Sequence, residues 1–351
     1  MQFTFTEDQI ALRDGMSRFF MAEVPPEKLR HLIEKDEGRS SGLRAKIAEQ
    51  GLFGLSVPEE AGGLGMNDID WALMTMELGY YALPDFFAET AYVSTGVLSA
   101  VGGQDELLAE MVAGDKSVAI AHPVNPFVGD AHLADFVLMP ADKNGGAVHL
   151  VPKSEVQFSP VYGSIDASRQ LVECSFSPSA ATQIADATSG QKLWDEALNR
   201  GAVAAAGQMI GLAQRMLDMS VDYTAQRKQF GKALASFQAV KHQMAEVVVK
   251  IEFAKPVLYR AAYALAHGDT EQAAILASHA KLVCGEAAWL AARKGIQVHG
   301  GMGYTWEVDL QMFMKCAWAL NSVWGDNAFH KARMADLLLS GQAPIGPGST
   351  F

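Results

Sequence analysis

From Gln191 to the C-terminus the chain runs through five stretches rich in Ala, Leu and Met with few breakers: 193–217, 219–227, 236–267, 270–294 and 309–339. Strong helix formers sustained at this length predict helices. Their number and order predict an antiparallel four-helix bundle with a terminal helix. Apolar residues cover much of the circumference at 202–209 and 273–290, more than a lone bundle buries, so an oligomer is expected. His242, His279 and His330 stand singly on these stretches without carboxylates at ligand spacing, and no metal site is expected.

Residues 1–115 also read as helical. Thr6-Glu-Asp-Gln9 is an N-cap with acids in the first turn, followed by Ile10, Leu12, Met16, Phe19 and Phe20 at helical spacing. Pro25-Pro26 ends that helix. Segments 69–81 and 91–101 are further apolar helices, separated by Pro84 and closed by Gly102-Gly103. Gly62-Gly63-Leu-Gly65 beside Pro58 reads as a tight inter-helix turn, because no strand precedes it as a dinucleotide loop requires. From 116 to about 177 the pattern changes to short alternating runs at 118–121, 136–139, 147–151 and 171–176. Pro123, Pro126, Asn144-Gly145-Gly146 and Pro160 interrupt them, which predicts a small antiparallel β unit. The expected class is mainly α with a small β insert. The expected domains are 1–115, 116–185 and 186–351.

Acids outnumber bases 40 to 28 and no basic block stands out, so nucleic acid and anionic membrane are not expected partners. Cys174, Cys284 and Cys316 are far apart, odd in number and without a CxxC, giving neither a disulfide framework nor a zinc site. A reducing cytoplasm fits. The first residues lack a basic region followed by an apolar core, and the longest uncharged run, 201–214, is too short to span a bilayer.

Gln297-Val-His-Gly-Gly-Met-Gly-Tyr304 follows a long apolar helix pattern and places glycine at 300, 301 and 303. Glycine there lets backbone N–H groups converge on an anion, and the Gln297 amide can reach a heterocycle or ribose. Alone, the motif is equally a glycine C-cap. A second stretch upstream changes its weight: Arg227-Lys-Gln-Phe-Gly231 followed by Phe237-Gln238, with a guanidinium, a ring and another amide. The two stretches together resemble the C-terminal domain of the acyl-CoA dehydrogenase family of flavoproteins. Phe5-Thr-Glu-Asp-Gln-Ile-Ala-Leu-Arg13 resembles that family's first helix, and Gly54-Leu-Ser-Val-Pro-Glu-Glu-Ala-Gly-Gly-Leu-Gly65 resembles its N-domain loop.

The resemblance implies an N-terminal helical domain, a middle β domain, here reduced, and a C-terminal four-helix bundle. It also implies FAD, an acyl-CoA substrate and an electron-transferring flavoprotein as acceptor. Arg227, Phe230, Gln238, Gln297, Val298, His299, Gly300 and Gly301 match the family's cofactor contacts, a set that reaches across a subunit interface. Two departures stand beside them. Where the family has a flavin-contacting Glu-x-Gly-Ser-Asp, this chain has His122-Pro-Val-Asn-Pro-Phe127. The later segment with Trp/Tyr and Thr/Ser is deleted before Ala131-His-Leu-Ala-Asp135.

Family members place the α-proton base, a carboxylate, at one of three positions. In the loop before the last helix, Trp324-Gly-Asp-Asn327 puts Gly325 in the glutamate column. The other two fall on Asn199, before Arg200, and on Gln208 in Ala206-Gly-Gln-Met209. None is a carboxylate. Asp326 is the nearest acid, and it is also a natural N-cap for a helix beginning near Ala328. The resemblance therefore implies either the base-lacking subunit of a heteromer, of the style found in bacterial sterol degradation, or a self-sufficient dehydrogenase using Asp326. A flavin-free scaffold is the third alternative, and it leaves the arginine and glycine set unexplained. Trp306, Trp318, Trp324 and Met302 near the site read as core residues before substrate contacts.

Overall fold

The structure is a computed structural model and describes residues 4–35, 40–268 and 270–341. Its helices are α1 (Glu7–Glu23), α2 (Pro26–Lys35), α3 (Ser41–Glu49), α4 (Asp68–Tyr80), α5 (Thr95–Val101), α6 (Asp105–Ala113), α7 (Ala187–Gln226), α8 (Gln238–Ala266), α9 (Thr270–His299), α10 (Leu310–Ser322) and α11 (Asn327–Leu339). Its strands are β1 (Val118–Ile120), β2 (Val128–Gly129), β3 (Phe136–Asp142), β4 (Gly145–Pro152), β5 (Gln157–Phe158), β6 (Leu171–Val172), β7 (Cys174–Ser175), β8 (Gln183–Ala185), β9 (Lys228–Gln229) and β10 (Lys232–Ala233). The chain forms two compact units, each discontinuous in sequence: Met1–His31 with Ala72–Leu83 and Ala202–Phe351, and Leu32–Trp71 with Pro84–Gly201.

In the first unit, α1 opens on a capping box. Thr6 Oγ1 accepts from Gln9 N at 3.2 Å and Gln9 Oε1 accepts from Thr6 N at 3.0 Å, satisfying two backbone donors that a helix start otherwise leaves bare. Helices α8 and α9 form a long hairpin, with α10 and α11 against α9. Where α4 meets α7, glycine lets backbones approach. A Cβ at Gly79 would strike the Gln208 carbonyl, one at Gly207 the Thr75 hydroxyl, and one at Gly211 the Met76 carbonyl. The expected break near residue 218 is absent, and α7 runs unbroken for 40 residues. No Gly or Pro interrupts it there, and the Ser220 and Thr224 hydroxyls bond back to the carbonyls of Met216 and Ser220. The stretch 309–339 is split into α10 and α11, because Trp324 and Gly325 adopt φ +58° and +92°.

In the second unit, a four-stranded sheet has the order β1-β3-β4-β8. The expectation of a purely antiparallel insert is corrected here: β1 and β3 are parallel, with Val118 beside Phe136 and Ile120 beside Leu138. The chain between them doubles back through β2 and a turn before β3 begins, so both strands start from the same end. The run expected as one strand at 171–176 is two, β6 pairing with β2 and β7 with β5. Ala131, Val137, Val151 and Val172 close this small core at 0% exposure. The Gly62–Gly65 segment is a tight turn: Gly62 and Gly65 have φ +84° and +59°, and a Cβ at Gly63 would meet Val57 Cβ at 2.5 Å.

Candidate functional site

The two C-terminal motifs meet in the first unit. Near the end of α7, the Tyr223 ring stacks on His299 at 4.2 Å between centroids, and its hydroxyl donates to the His299 carbonyl at 3.4 Å. His299 Nδ1 bonds the Gly295 carbonyl at 2.8 Å, and burial holds its pKa below the usual imidazole range. A neutral imidazole stacked on Tyr223 thus ties the last turn of α7 to the last turn of α9. Arg227 follows four residues after Tyr223, and Gly300 is next to His299. Gly300 has φ +63°, a conformation that favours glycine. A Cβ built on Gly300 or Gly301 meets nothing within 4 Å, so open space lies over the turn.

Arg227, Phe230, Gln238 and Gln297 are all exposed, Phe230 at 88% on the tip of the β9–β10 hairpin with φ +53°. The Phe230 ring meets the Phe237 ring edge-on at 6.1 Å between centroids. Lys232 Nζ sits 4.3 Å from the Phe237 ring, beside Phe230. Val298 and His299 point inward at 7% and 4% exposure. Their side chains hold the turn in place, leaving only their backbone near its surface. Tyr223, which joins the motifs, carries no motif signature of its own; its position one helical turn before Arg227 is the signal that could have found it.

None of the three positions where a base is sought carries a carboxylate. Gln208 lies at the α4–α7 crossing, its amide donating to the Ala204 carbonyl at 3.4 Å. Asn199, in the second unit, is 6% exposed with its Oδ1 unpartnered among the described residues. Its neighbour Arg200 donates Nε to Asp68 Oδ1 at 3.1 Å, and Asp68 also accepts from the Tyr92 hydroxyl. Burial, then the Asp68 charge, holds the Tyr92 phenol protonated far above its ordinary range. At Gly325, φ is +92° and a Cβ would collide with Phe329 Cδ1 and lie 3.0 Å from His330 Nε2. Asp326 is the N-cap of α11, its Oδ1 accepting from Phe329 N at 2.8 Å.

The turn carrying Gly325 and Asp326 is fastened from within. The fully buried Lys281 donates Nζ to the carbonyls of Asn321 at 3.0 Å and Gly325 at 3.2 Å. His330 Nε2 donates to the Trp324 carbonyl at 2.8 Å. Burial pushes Lys281 down to about 7, opposed by the Asp326 charge, and pushes His330 down to about 4, with Lys281 adding to the shift. Lys281 is the one Lys or Arg within the apolar run 273–290, and that anomaly is the signal that could have found it. His330 and Phe329 gave no such sign.

In the second unit, the segment standing where the family's first flavin contact would be is used structurally. His122 Nε2 donates to the Trp194 carbonyl at 2.9 Å, Nδ1 accepts from Val124 N at 3.1 Å, and the ring lies edge-on to Trp194. In the segment at the second contact, Ala131 and Ala134 plug the β core, and the Asp135 carboxylate accepts from Ser117 N at 2.9 Å. Among the described residues, no helix is long and apolar enough to cross a membrane and no group of three His, Cys, Asp or Glu could hold a metal.

The family description "Acyl-CoA dehydrogenase, N-terminal domain" matches residues 6–114, and "Acyl-CoA dehydrogenase, C-terminal domain" matches 188–339. Acyl-CoA dehydrogenase IpdE2 of Mycolicibacterium smegmatis is 32% identical, the alignment covering 89% of this chain and 93% of that one. The fold is similar to that in the ChsE4-ChsE5 complex from Mycobacterium tuberculosis, with a TM-score of 0.87 at 22% identity over 98% of this chain and 100% of that one. It is also similar to PigA with FAD and proline, TM-score 0.84 at 20% identity over 96% and 99%. With both family domains matched and a relative at 32% identity over nearly its whole length, this chain belongs to the acyl-CoA dehydrogenase family of oxidoreductases acting on CH–CH bonds.

Proposed function

We propose that this chain is the base-lacking subunit of a heteromeric acyl-CoA dehydrogenase, gripping the ADP half of FAD while a homologous subunit supplies the carboxylate and the ring pocket. The observation that carries the reading is the closure of the Gly325 position. The glutamate is absent, and Phe329 and His330 also fill the volume its first carbon would need. The neighbouring carboxylate, Asp326, is occupied as a helix cap. The similar fold in the ChsE4-ChsE5 complex belongs to an assembly of two differently named chains, which is consistent with a heteromer.

The residues present fit the adenine and phosphate end of FAD. Open space over Gly300 and Gly301 is the kind of cradle a Cβ would fill. Arg227 is exposed, and no ion pair of its own is found among the described residues, so its guanidinium is available to donate to a phosphate oxygen. Backbone N–H groups of the turn add donors. The Phe230 ring offers a stacking face, and the Gln238 and Gln297 amides reach polar edges. When bound, the flavin accepts the β-hydride of an acyl thioester. Removal of the α-proton needs a carboxylate at the substrate's other face, and that group is assigned to the partner. An electron-transferring flavoprotein is the proposed acceptor.

The test is Asp326→Asn in the assembly that holds flavin. Asn caps a helix as well as Asp, so turnover of acyl-CoA should stay near wild type. Collapse of turnover with substrate binding retained would make Asp326 the base and refute the division of labour. The isolated chain supplied with FAD should oxidise no acyl-CoA of any chain length.

A further inference from the structure

The turn at 300–304 is fastened firmly at its entrance by Tyr223 and His299, but its exit is a different matter. From Thr305 to Asp309 the chain runs exposed or half-buried before α10 begins. Thr305 folds back on the turn, its N and Oγ1 both donating to the Met302 carbonyl at 3.0 and 2.9 Å. Those bonds hold the turn to itself. Trp306 cannot anchor it by burial, since the residue is 49% exposed.

What ties the exit down comes from 276 residues earlier in the chain. Arg30, on α2, donates Nη1 to the Trp306 carbonyl and Nη2 to Asp309 Oδ1. Its guanidinium carbon lies 5.8 Å from the centre of the Trp306 ring, and Lys315 Nζ lies 5.3 Å from the same ring. The Arg30 and Asp309 side chains are 24% and 26% exposed, so the pair is better shielded than a surface bridge. Asp309 also departs from local expectation. It stands at the N-cap of α10, where Asp ordinarily accepts from the helix backbone, yet its side chain makes no cap bond. The carboxylate is committed to Arg30 instead.

We infer that Arg30 is a positioning residue for the cofactor turn: it fixes the exit of the 300–304 segment through Trp306 and Asp309, and so sets where the Gly300 and Gly301 N–H groups point. The inference rests on the reading that this turn grips the ADP half of FAD. Arg30 acts through the segment beyond the turn and is not itself a cofactor contact. A bidentate guanidinium can hold a carbonyl and a carboxylate at once, which an ammonium cannot do with the same geometry.

The experiment is a double-mutant cycle on the flavin-holding assembly, following FAD release after dilution by the recovery of free-flavin fluorescence. Gly301→Val tests the turn itself, because a Cβ added there meets no atom of this chain within 4 Å, so the chain's own fold accommodates it. Arg30→Ala tests the fastening, with Arg30→Lys as the conservative variant. The expected result is release about tenfold faster for Arg30→Ala, the size of one coupled charge-assisted contact, and an intermediate rate for Arg30→Lys. In the Gly301→Val background, Arg30→Ala should add little, since both act through the same turn. Equal effects of Arg30→Ala in both backgrounds overturn the inference. So does an unchanged release rate for Arg30→Ala while Gly301→Val releases faster, an outcome that leaves the cofactor reading standing. If neither single variant changes release, the cofactor reading fails and the inference falls with it. Should Arg30→Ala fail to assemble, Asp309→Asn takes its place in the same cycle, with the same outcomes deciding.

Discussion

Replacing Lys281 by Met probes the polar support beneath the 324–326 turn, and the structure gives the sign and size of the effect. In the folded chain Lys281 gives up its proton near pH 7 because burial disfavours the ammonium, whereas its ordinary value is 10.5. Between those values the unfolded chain binds more protons than the folded one, so stability rises with pH across that window. The penalty is present in full below about pH 7 and gone above about 10.5. At 1.36 kcal/mol for each factor of ten, the full span is about 5 kcal/mol, of which about 2 is recovered between pH 7 and pH 9. Lys281→Met removes this gradient and introduces a separate cost. It strips the Asn321 and Gly325 carbonyls of their donor, at about 1–3 kcal/mol for each buried group left unsatisfied.

The variant should therefore be less stable than wild type at pH 9, with the gap narrowing by about 2 kcal/mol at pH 7. Urea melts of both proteins at the two pH values, followed by helical circular dichroism, measure it. A stability difference that does not change with pH would refute the argument, because it would mean that Lys281 keeps its ordinary proton affinity inside the fold.

Gly325→Glu, which restores the family's base in sequence, should destabilise by about 2–5 kcal/mol and yield no acyl-CoA oxidation by the isolated chain. It forces a side chain to φ +92° against Phe329; a gain of turnover with an unchanged melting temperature would count against the closed-site reading. Arg227→Ala should weaken FAD retention in the assembly by about 1.5–3 kcal/mol, as loss of a charge-assisted hydrogen bond does, with helical content unchanged. Asp326→Ala should cost about 0.5–2 kcal/mol in a melt while Asp326→Asn costs a few tenths at most; equal costs would contradict the cap.

Much of this architecture was legible in the sequence because it rests on local chemistry. The N-cap at Thr6, the Pro25-Pro26 stop and the helical character of the long C-terminal stretches all follow from local chemistry and are present in the structure, whereas the break near 218 and the continuity of 309–339 are not. The parallel pairing of β1 with β3 was not legible, since alternation shows that a strand exists but not which way its neighbour runs. The split of 171–176 into two strands with different partners was hidden for the same reason. At the candidate site, residue type told where a carboxylate was missing but not that the place was filled. Gly325 alone is compatible with an empty pocket. The steric closure depends on Phe329 and His330 folding back one turn of α11, and that depends on Asp326 starting the helix where it does. The cap, the plug and the buried Lys281 therefore form one arrangement. With Gly325, Asp326, Phe329 and His330 tied together in this way, recovering a base at that turn would take several coordinated substitutions. A lineage that had only lost one glutamate could regain it by a single change. The filled turn therefore supports the proposal that a partner chain supplies the base.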